Sequence, residues 1–271
     1  MDAIQNLSLE TFLPVSRMRD LVDQGGATSY RGAKPFPHIV MDDFFDSSLL
    51  ETIRAEFPAP GEIAWRGFKN QYEIKLFSTA EQTFGPMTRL LLYHLNSITF
   101  LDFLSEITGI PDLIPDPTFN GGGMHQIQRG GKLGIHADFN RHKKYGLDRR
   151  LNLLVYLNRD WREEYGGHLE LWDTQMSGCQ RRVLPVFNRV VIFSTTDFSY
   201  HGHPEPLQCP PEMTRKSLAM YYYTNGRPAS EVSKAHSTIF RARHEGEFGK
   251  PNWRARIRAA LKGFPQNLTR R

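Results

Sequence analysis

Apolar residues recur three and four positions apart in two stretches of the N-terminal third. Leu49, Leu50, Ile53 and Phe57 share one face; Leu90, Leu91, Leu95, Ile98 and Leu101 share another. The first spacing predicts an amphipathic helix after Asp46 or Ser47, either of which can cap it. The second predicts a long helix over 86–108, with His94 a partly buried structural residue. A short helix over Leu9 to Asp23 and a strand over Phe36 to Met41 are expected ahead of them. From about residue 113 the period changes. Short strand-like runs at 125–129, 134–137, 152–157, 168–172, 190–193, 202–206 and 217–224 alternate with clusters of Gly, Pro, Asn and Asp. Many short strands between turns predict a closed or two-sheeted β architecture. The expected fold class is α+β: a double-stranded β-helix (jelly-roll) barrel with N-terminal helices packed on one face. After Gly226-Arg227-Pro228 the chain turns polar and then helical, with Trp253, Ile257, Ala260 and Leu261 on one stripe. Three regions follow: a support region 1–112, a barrel core 113–226, and a basic C-terminal helical extension 227–271.

Composition changes this picture little. Hydrophobic residues make up 39% and charged residues 23%, so a folded core is expected rather than disorder. No run of about 18 apolar residues could span a membrane, and the acidic, polar start does not read as a signal peptide. Cys179 and Cys209 are too few for a disulfide framework or a thiolate metal site, and fit a reducing cytoplasm. Charge is uneven. From Arg227 onward eleven basic residues face three glutamates, about +8, leaving the rest of the chain near −3 of the +5 total. A solvated basic helix explains that tail better than a nucleic-acid surface does.

The chemistry concentrates in Gly134-Ile135-His136-Ala137-Asp138-Phe139. In a strand, residues two apart point to the same side, so His136 and Asp138 can bind one metal together. A third ligand must come from another strand. Tyr200-His201-Gly202 follows the run Val190–Phe193 and supplies one, with His203 as a rival two residues on. Two imidazoles and a carboxylate on one face leave three positions open on an octahedral metal, the facial triad of non-heme ferrous oxygenases. Fourteen residues past His201 stands Arg215, with Ser217 on the same strand face. A guanidinium fork matches a carboxylate, so this pair suits a dicarboxylic cosubstrate. Lys216 falls on the opposite face. Asn152 shares its face with Leu154 and Tyr156. Gln126 and Gln128 share a face on the strand before the triad, where each either lines the cosubstrate pocket or faces the sheet.

The run from about Phe119 to Asn225 resembles the iron(II)/2-oxoglutarate-dependent dioxygenase superfamily in its prolyl-4-hydroxylase-like branch. The matching pieces are His136-Ala-Asp138, the segment Leu153 to Trp161, Gly166 to Trp172, Arg189 to Phe193, His201, and Arg215 to Tyr223. The segment Pro35 to Pro58 is similar to the strand and helix that precede the barrel in that branch. The resemblance implies the double-stranded β-helix, ferrous iron, 2-oxoglutarate as cosubstrate, dioxygen as oxidant, and ascorbate as an optional stimulant. It favours His201 over His203 as the distal ligand and implies that Tyr156 reaches the cosubstrate carboxylate. Hydroxylation of a prolyl or other amino-acid-type substrate is the implied reaction, in a peptide, a protein or a metabolite, with succinate and carbon dioxide released. The carboxylate of Asp138 argues against halogenation, which needs a small residue there.

Other features are less directed. The basic loop Phe139 to Arg150 should sit at the barrel mouth, where it either draws an acidic substrate or is merely solvated. His142 within it is expected at the surface or against substrate. The aromatic connection Trp65 to Phe77 either forms part of the substrate wall or, as the better reading, packs in the core, and Tyr221 and Tyr223 are expected to face the barrel interior. Two alternatives differ in class: a zinc-dependent or cupin-like enzyme on the same ligands, which would have no need of Arg215 with Ser217, and an inactive barrel that binds nucleic acid through its basic tail.

Overall fold

The structure, a computed structural model, describes residues 8–248. Three short helices open it: α1 (Leu9–Phe12), α2 (Val15–Asp23) and α3 (Gly26–Gly32). The single helix expected over 9–23 is two because Pro14 has no N–H to donate and holds Leu13 extended, at φ −121° and ψ 118°. Strand β1 (His38–Met41) and helix α4 (Ser47–Glu56) follow. The Asp46 carboxylate caps α4, accepting from the Ser48 and Leu49 amides at 2.9 Å each. The long helix expected over 86–108 is also two, α5 (Pro86–His94) and α6 (Ile98–Thr108). Between them the Ser97 hydroxyl donates to the His94 carbonyl at 2.6 Å while the Ser97 backbone is extended.

The strands are β2 (Arg66–Lys69), β3 (Glu73–Ser78), β4 (Ile114–Pro115), β5 (Gly123–Gln128), β6 (Lys132–Ala137), β7 (Asp148–Tyr156), β8 (Leu169–Trp172), β9 (Cys179–Val183), β10 (Val190–Ser194), β11 (His201–His203), β12 (Thr214–Thr224) and β13 (Ile239–Phe240). They form one curled antiparallel half-barrel in the order β1-β10-β7-β12-β5-β3-β6-β11-β8-β9. Strand β2 pairs with β3, β4 with β12, and β13 with β6. The sequence pattern missed β2, β3, β4, β9 and β13. Strand β2 is exposed along its whole length and β9 over most of its length, so no inside–outside alternation marks either. The aromatic connection at 65–77 is therefore largely a hairpin, turned by Asn70, whose side chain accepts from the Tyr72 and Glu73 amides.

Alternation along the central strands divides the molecule into two interiors. Leu153, Val155, Val190, Ile192, Leu218, Met220 and Tyr222 point outward and pack with Phe44, Leu50, Leu91, Phe100, Leu104 and Ile107 of the helical layer. Asn152, Leu154, Arg215, Ser217 and Tyr221 point into the half-barrel and line its cavity. The large shared core makes the helical layer a backing plate for the site. Among the described residues no helix is long and apolar enough to cross a membrane, and both cysteines are free. The apolar stripe expected at Trp253 to Leu261 lies outside the described residues; the preceding segment contributes β13, which extends the sheet beside β6.

One close approach fixes the half-barrel around β6. A side chain at Gly202 of β11 would place its Cβ 2.7 Å from the Gly134 carbonyl and 2.8 Å from that of Leu133. Both neighbours are backbone, which cannot swing aside. Gly202→Ala should therefore push β11 off β6, costing about 2 kcal/mol of stability as overpacking does and weakening metal binding together with it. Thermal melts and a Mn(II) titration check this; an unchanged metal affinity would contradict the role assigned to the close approach.

Candidate metal centre and cosubstrate pocket

In the antiparallel pairing of β11 with β6, His201 stands directly opposite His136. Opposed residues put their side chains on the same face, and the two imidazoles meet with ring centroids 4.4 Å apart. Asp138, one residue past the end of β6, turns its carboxylate to both. Its Oδ1 lies 3.6 Å from His136 Nε2 and its Oδ2 lies 3.4 Å from His201 Nε2. One ligand atom from each of the three falls within 4.8 Å of the others, and all three residues are buried.

Each imidazole is held in one tautomer. His136 Nδ1 donates to the Gly134 carbonyl and His201 Nδ1 to the Ser199 carbonyl, both at 2.9 Å. A carbonyl only accepts, so the proton sits on Nδ1 and the Nε2 lone pair faces the centre. Burial, with His136 beside it, lowers the His201 imidazole to about 4, so it is neutral near pH 7. Burial alone would raise the Asp138 carboxyl, but Arg149, His201 and His136 together hold it well below its ordinary value. A charged carboxylate and two imidazole lone pairs converging on one point make a donor set that fits a divalent first-row metal with positions to spare.

Arg149 is the functional residue that the sequence reading missed. The loop expected over 139–150 is shorter, because β7 begins at Asp148 and carries Arg149 inside. Its Nη2 lies 3.0 Å from Asp138 Oδ2, and its guanidinium stacks 3.5 Å from the Tyr221 ring centroid and 4.4 Å from that of Phe139. Asn152 bridges the pair, donating from Nδ2 to Asp138 Oδ2 at 2.7 Å and accepting from Arg149 Nε at 3.0 Å. Run-together charges at 141, 143, 144, 149 and 150 look alike in sequence; only the strand start separates the one that faces Asp138. His142, expected at the surface or against substrate, is buried and lines the open cleft described below, and its Nδ1 accepts from the Lys144 and Tyr145 amides to hold the loop turn.

Two spaces meet at the triad, and His136 and Asp138 line both. One is a small cavity of about 80 Å³ that ends at Arg215 and Ser217. Arg215 is buried and already oriented: its Nε donates to the Gly167 carbonyl at 2.8 Å and its Nη2 to the Tyr156 hydroxyl at 3.2 Å. Only glycine allows this at 167, where φ is +72° and a Cβ would sit 3.0 Å from Arg215 Cδ. Burial raises the Tyr156 hydroxyl against the opposing pull of Arg215, so it keeps its proton while accepting from the arginine. Lys216 points the other way, its Nζ donating to Thr214 Oγ1. His203 lies in the cavity wall and outside the triad.

Gln126 and Gln128 do not reach the cavity. On β5 the residues that line it are His125 and Ile127, and alternation sends the two glutamines to the other face. There Gln126 donates to the Pro58 carbonyl and accepts from Thr214 Oγ1, tying the helical layer to the sheet. Gln128 is exposed at the strand end. The second space is an open cleft of about 510 Å³ whose walls include Arg66, Phe77, Phe139, Lys143, Lys144 and Phe240. Phe240 of β13 covers the outer side of His136, with ring centroids 5.4 Å apart.

Comparison with known proteins bears on this geometry. Residues 122–223 match the family model described as "2OG-Fe(II) oxygenase superfamily", a span that holds the triad, Arg149 and Arg215. No curated protein sequence matches the chain. Among solved structures, the chain is similar to a prolyl hydroxylase from Trichoplax adhaerens in complex with a hypoxia-inducible-factor peptide fragment, at 14% identity and TM-score 0.53, covering 78% of this chain and 92% of that one. A Pseudomonas putida prolyl-4-hydroxylase gives 15% identity and TM-score 0.51 over 78% of this chain and 100% of that one. The non-heme α-ketoglutarate-dependent carbocyclase SnoK of nogalamycin biosynthesis gives 11% identity and TM-score 0.50 over 74% and 83%. Residues 122–223, which hold the site, therefore form a 2OG-Fe(II) oxygenase domain, that of an iron- and 2-oxoglutarate-dependent dioxygenase, on a fold like that of the prolyl-4-hydroxylases.

Proposed function

We propose that the chain hydroxylates a prolyl or other amino-acid-type substrate, in a peptide, a protein or a metabolite, with His136, Asp138 and His201 as ligands to ferrous iron and Arg215 as the anchor of 2-oxoglutarate. The observation that carries this reading is the small cavity running from the triad to a buried, pre-oriented arginine. A hydrolytic metal site has no use for such a cavity. Bound iron and 2-oxoglutarate supply dioxygen activation, which oxidises a substrate C–H bond while the cosubstrate leaves as succinate and carbon dioxide.

The chain's own residues hold and orient the reactants. Gly134 and Ser199 carbonyls keep both imidazoles aimed, and Asn152 with Arg149 fixes the Asp138 carboxylate. At the far end Arg215 offers its remaining Nη1, Ser217 a hydroxyl and Tyr156 its proton to the cosubstrate carboxylate. Leu154, Leu169 and Phe193 keep the cavity walls apolar and exclude water. Substrate approaches from the open cleft, where Arg66, Lys75, Lys143 and Lys144 stand among aromatic rings. The one glutamate there, Glu73, already pairs with Lys75 at 3.2 Å. This lining favours a substrate that carries negative charge beside an apolar or ring-shaped body.

Asn152→Leu removes the amide that orients Asp138 and should weaken Mn(II) or Fe(II) affinity about 10- to 100-fold, as loss of a partner to a metal ligand typically does; equilibrium metal titration measures it. Anaerobic addition of Fe(II) and 2-oxoglutarate should give a weak visible charge-transfer band. A succinate-release assay over amino acids, acidic and neutral peptides and cell extract, followed by mass spectrometry for one added oxygen, tests the reaction. Asp138→Ala should abolish substrate-dependent succinate, and full activity in that variant would overturn the ligand assignment.

A further inference from the structure

His203 sits two residues beyond His201 on β11, so both rings project into the half-barrel. The two differ in one respect. His201 has its Nδ1 bonded and its Nε2 on the triad; His203 is buried, and neither of its ring nitrogens has a hydrogen-bond partner among the described residues. A buried imidazole with both nitrogens unmet is costly, and such a group calls for a partner that completes it. The ring is not a member of the metal cluster. It lines the small cavity between the triad and Arg215, in company with Ser217, Lys75 and His125. Whichever tautomer the ring adopts, one N–H is available to donate.

A carboxylate accepts about four hydrogen bonds. Arg215 has two of its three guanidinium nitrogens committed to Gly167 and Tyr156, so it cannot fill those positions alone. We propose that His203 is a cosubstrate-binding residue, its ring N–H donating to the far carboxylate of 2-oxoglutarate beside the Arg215 guanidinium. The inference rests on reading this cavity as the 2-oxoglutarate pocket. It assigns His203 to recognition of the dicarboxylate, apart from the metal, and so makes it a determinant of selectivity for 2-oxoglutarate over monocarboxylic 2-oxo acids.

The test is calorimetric titration of the full chain loaded with Mn(II), using 2-oxoglutarate and pyruvate, which shares the 2-oxo acid but lacks the far carboxylate. His203→Leu should weaken 2-oxoglutarate binding about tenfold, the scale of one hydrogen bond to a charged group. Mn(II) affinity and the weaker pyruvate affinity should not change. His203→Gln, which keeps an N–H donor, should recover most of the loss. Unchanged 2-oxoglutarate affinity in His203→Leu would overturn the proposal, and so would an equal loss for pyruvate or for Mn(II), since either means that the ring acts through the metal or the fold. Arg215→Leu serves as the reference. If it leaves 2-oxoglutarate binding intact, or the wild-type protein binds none, the pocket reading itself fails; if only the His203 variants behave as wild type, that reading stands and this inference alone falls.

Discussion

The site depends on one register: β6 against β11, with His136 opposite His201. In an antiparallel pair a slip of one residue moves every side chain to the other face, which would carry His201 out of the half-barrel and bring Gly202 in. Several independent features hold the pairing in place. The backbones approach so closely at Gly134 and Gly202 that nothing larger than hydrogen fits between. Strand β13 pairs with β6 at Ala137 and His136, and β8 flanks β11 on its other side. The carbonyls of Gly134 and Ser199 then fix the ring orientations. Asp138 needs no further strand, since a spacing of two delivers it to the face that His136 already occupies.

Charge is the second constraint. A buried carboxylate without compensation is expensive, and a buried ion pair is worth having only when its remaining hydrogen bonds are met. Here they are met. Arg149 faces Asp138, Asn152 joins the two, and the flat faces of Phe139 and Tyr221 carry the rest of the guanidinium. The carboxylate is thereby ionised and aimed by the protein itself, and the metal enters a centre whose geometry is already set.

The central strands, the triad and Arg215 were legible in the sequence because each is written in a period of two. His136 with Asp138, Arg215 with Ser217, and Asn152 with Tyr156 are all such pairs, and the structure puts each pair on one face. Features that depend on where a strand starts, or on which parity faces inward, were not legible. Arg149 reads as one more cation in a basic loop until β7 is seen to begin at Asp148. Gln126 and Gln128 satisfy the same spacing rule as His125 and Ile127, and a single sequence offers no means of choosing the parity. Strand β2 escaped for a different reason: an edge exposed on both faces leaves no hydrophobic pattern to read.

The two spaces that meet at the metal differ in how they are built, and that difference decides what each can reveal. The small cavity that ends at Arg215 is walled mostly by residues of regular strands, so its donors are fixed by pairing register and can be traced one by one to positions in the chain. Much of the open cleft is walled by edge-strand residues and segments outside the main strands: Arg66, Phe68, Thr118, Lys143, Lys144 and Thr238. Such segments carry few register constraints and accept substitution without disturbing the metal. One half-barrel can thus keep its cosubstrate while its substrate changes, and proteins as different in reaction as a prolyl hydroxylase and a carbocyclase share the fold with this chain. Substrate choice is therefore written in the charge and aromatic surface of the cleft, which can change while the strands that carry the triad stay as they are.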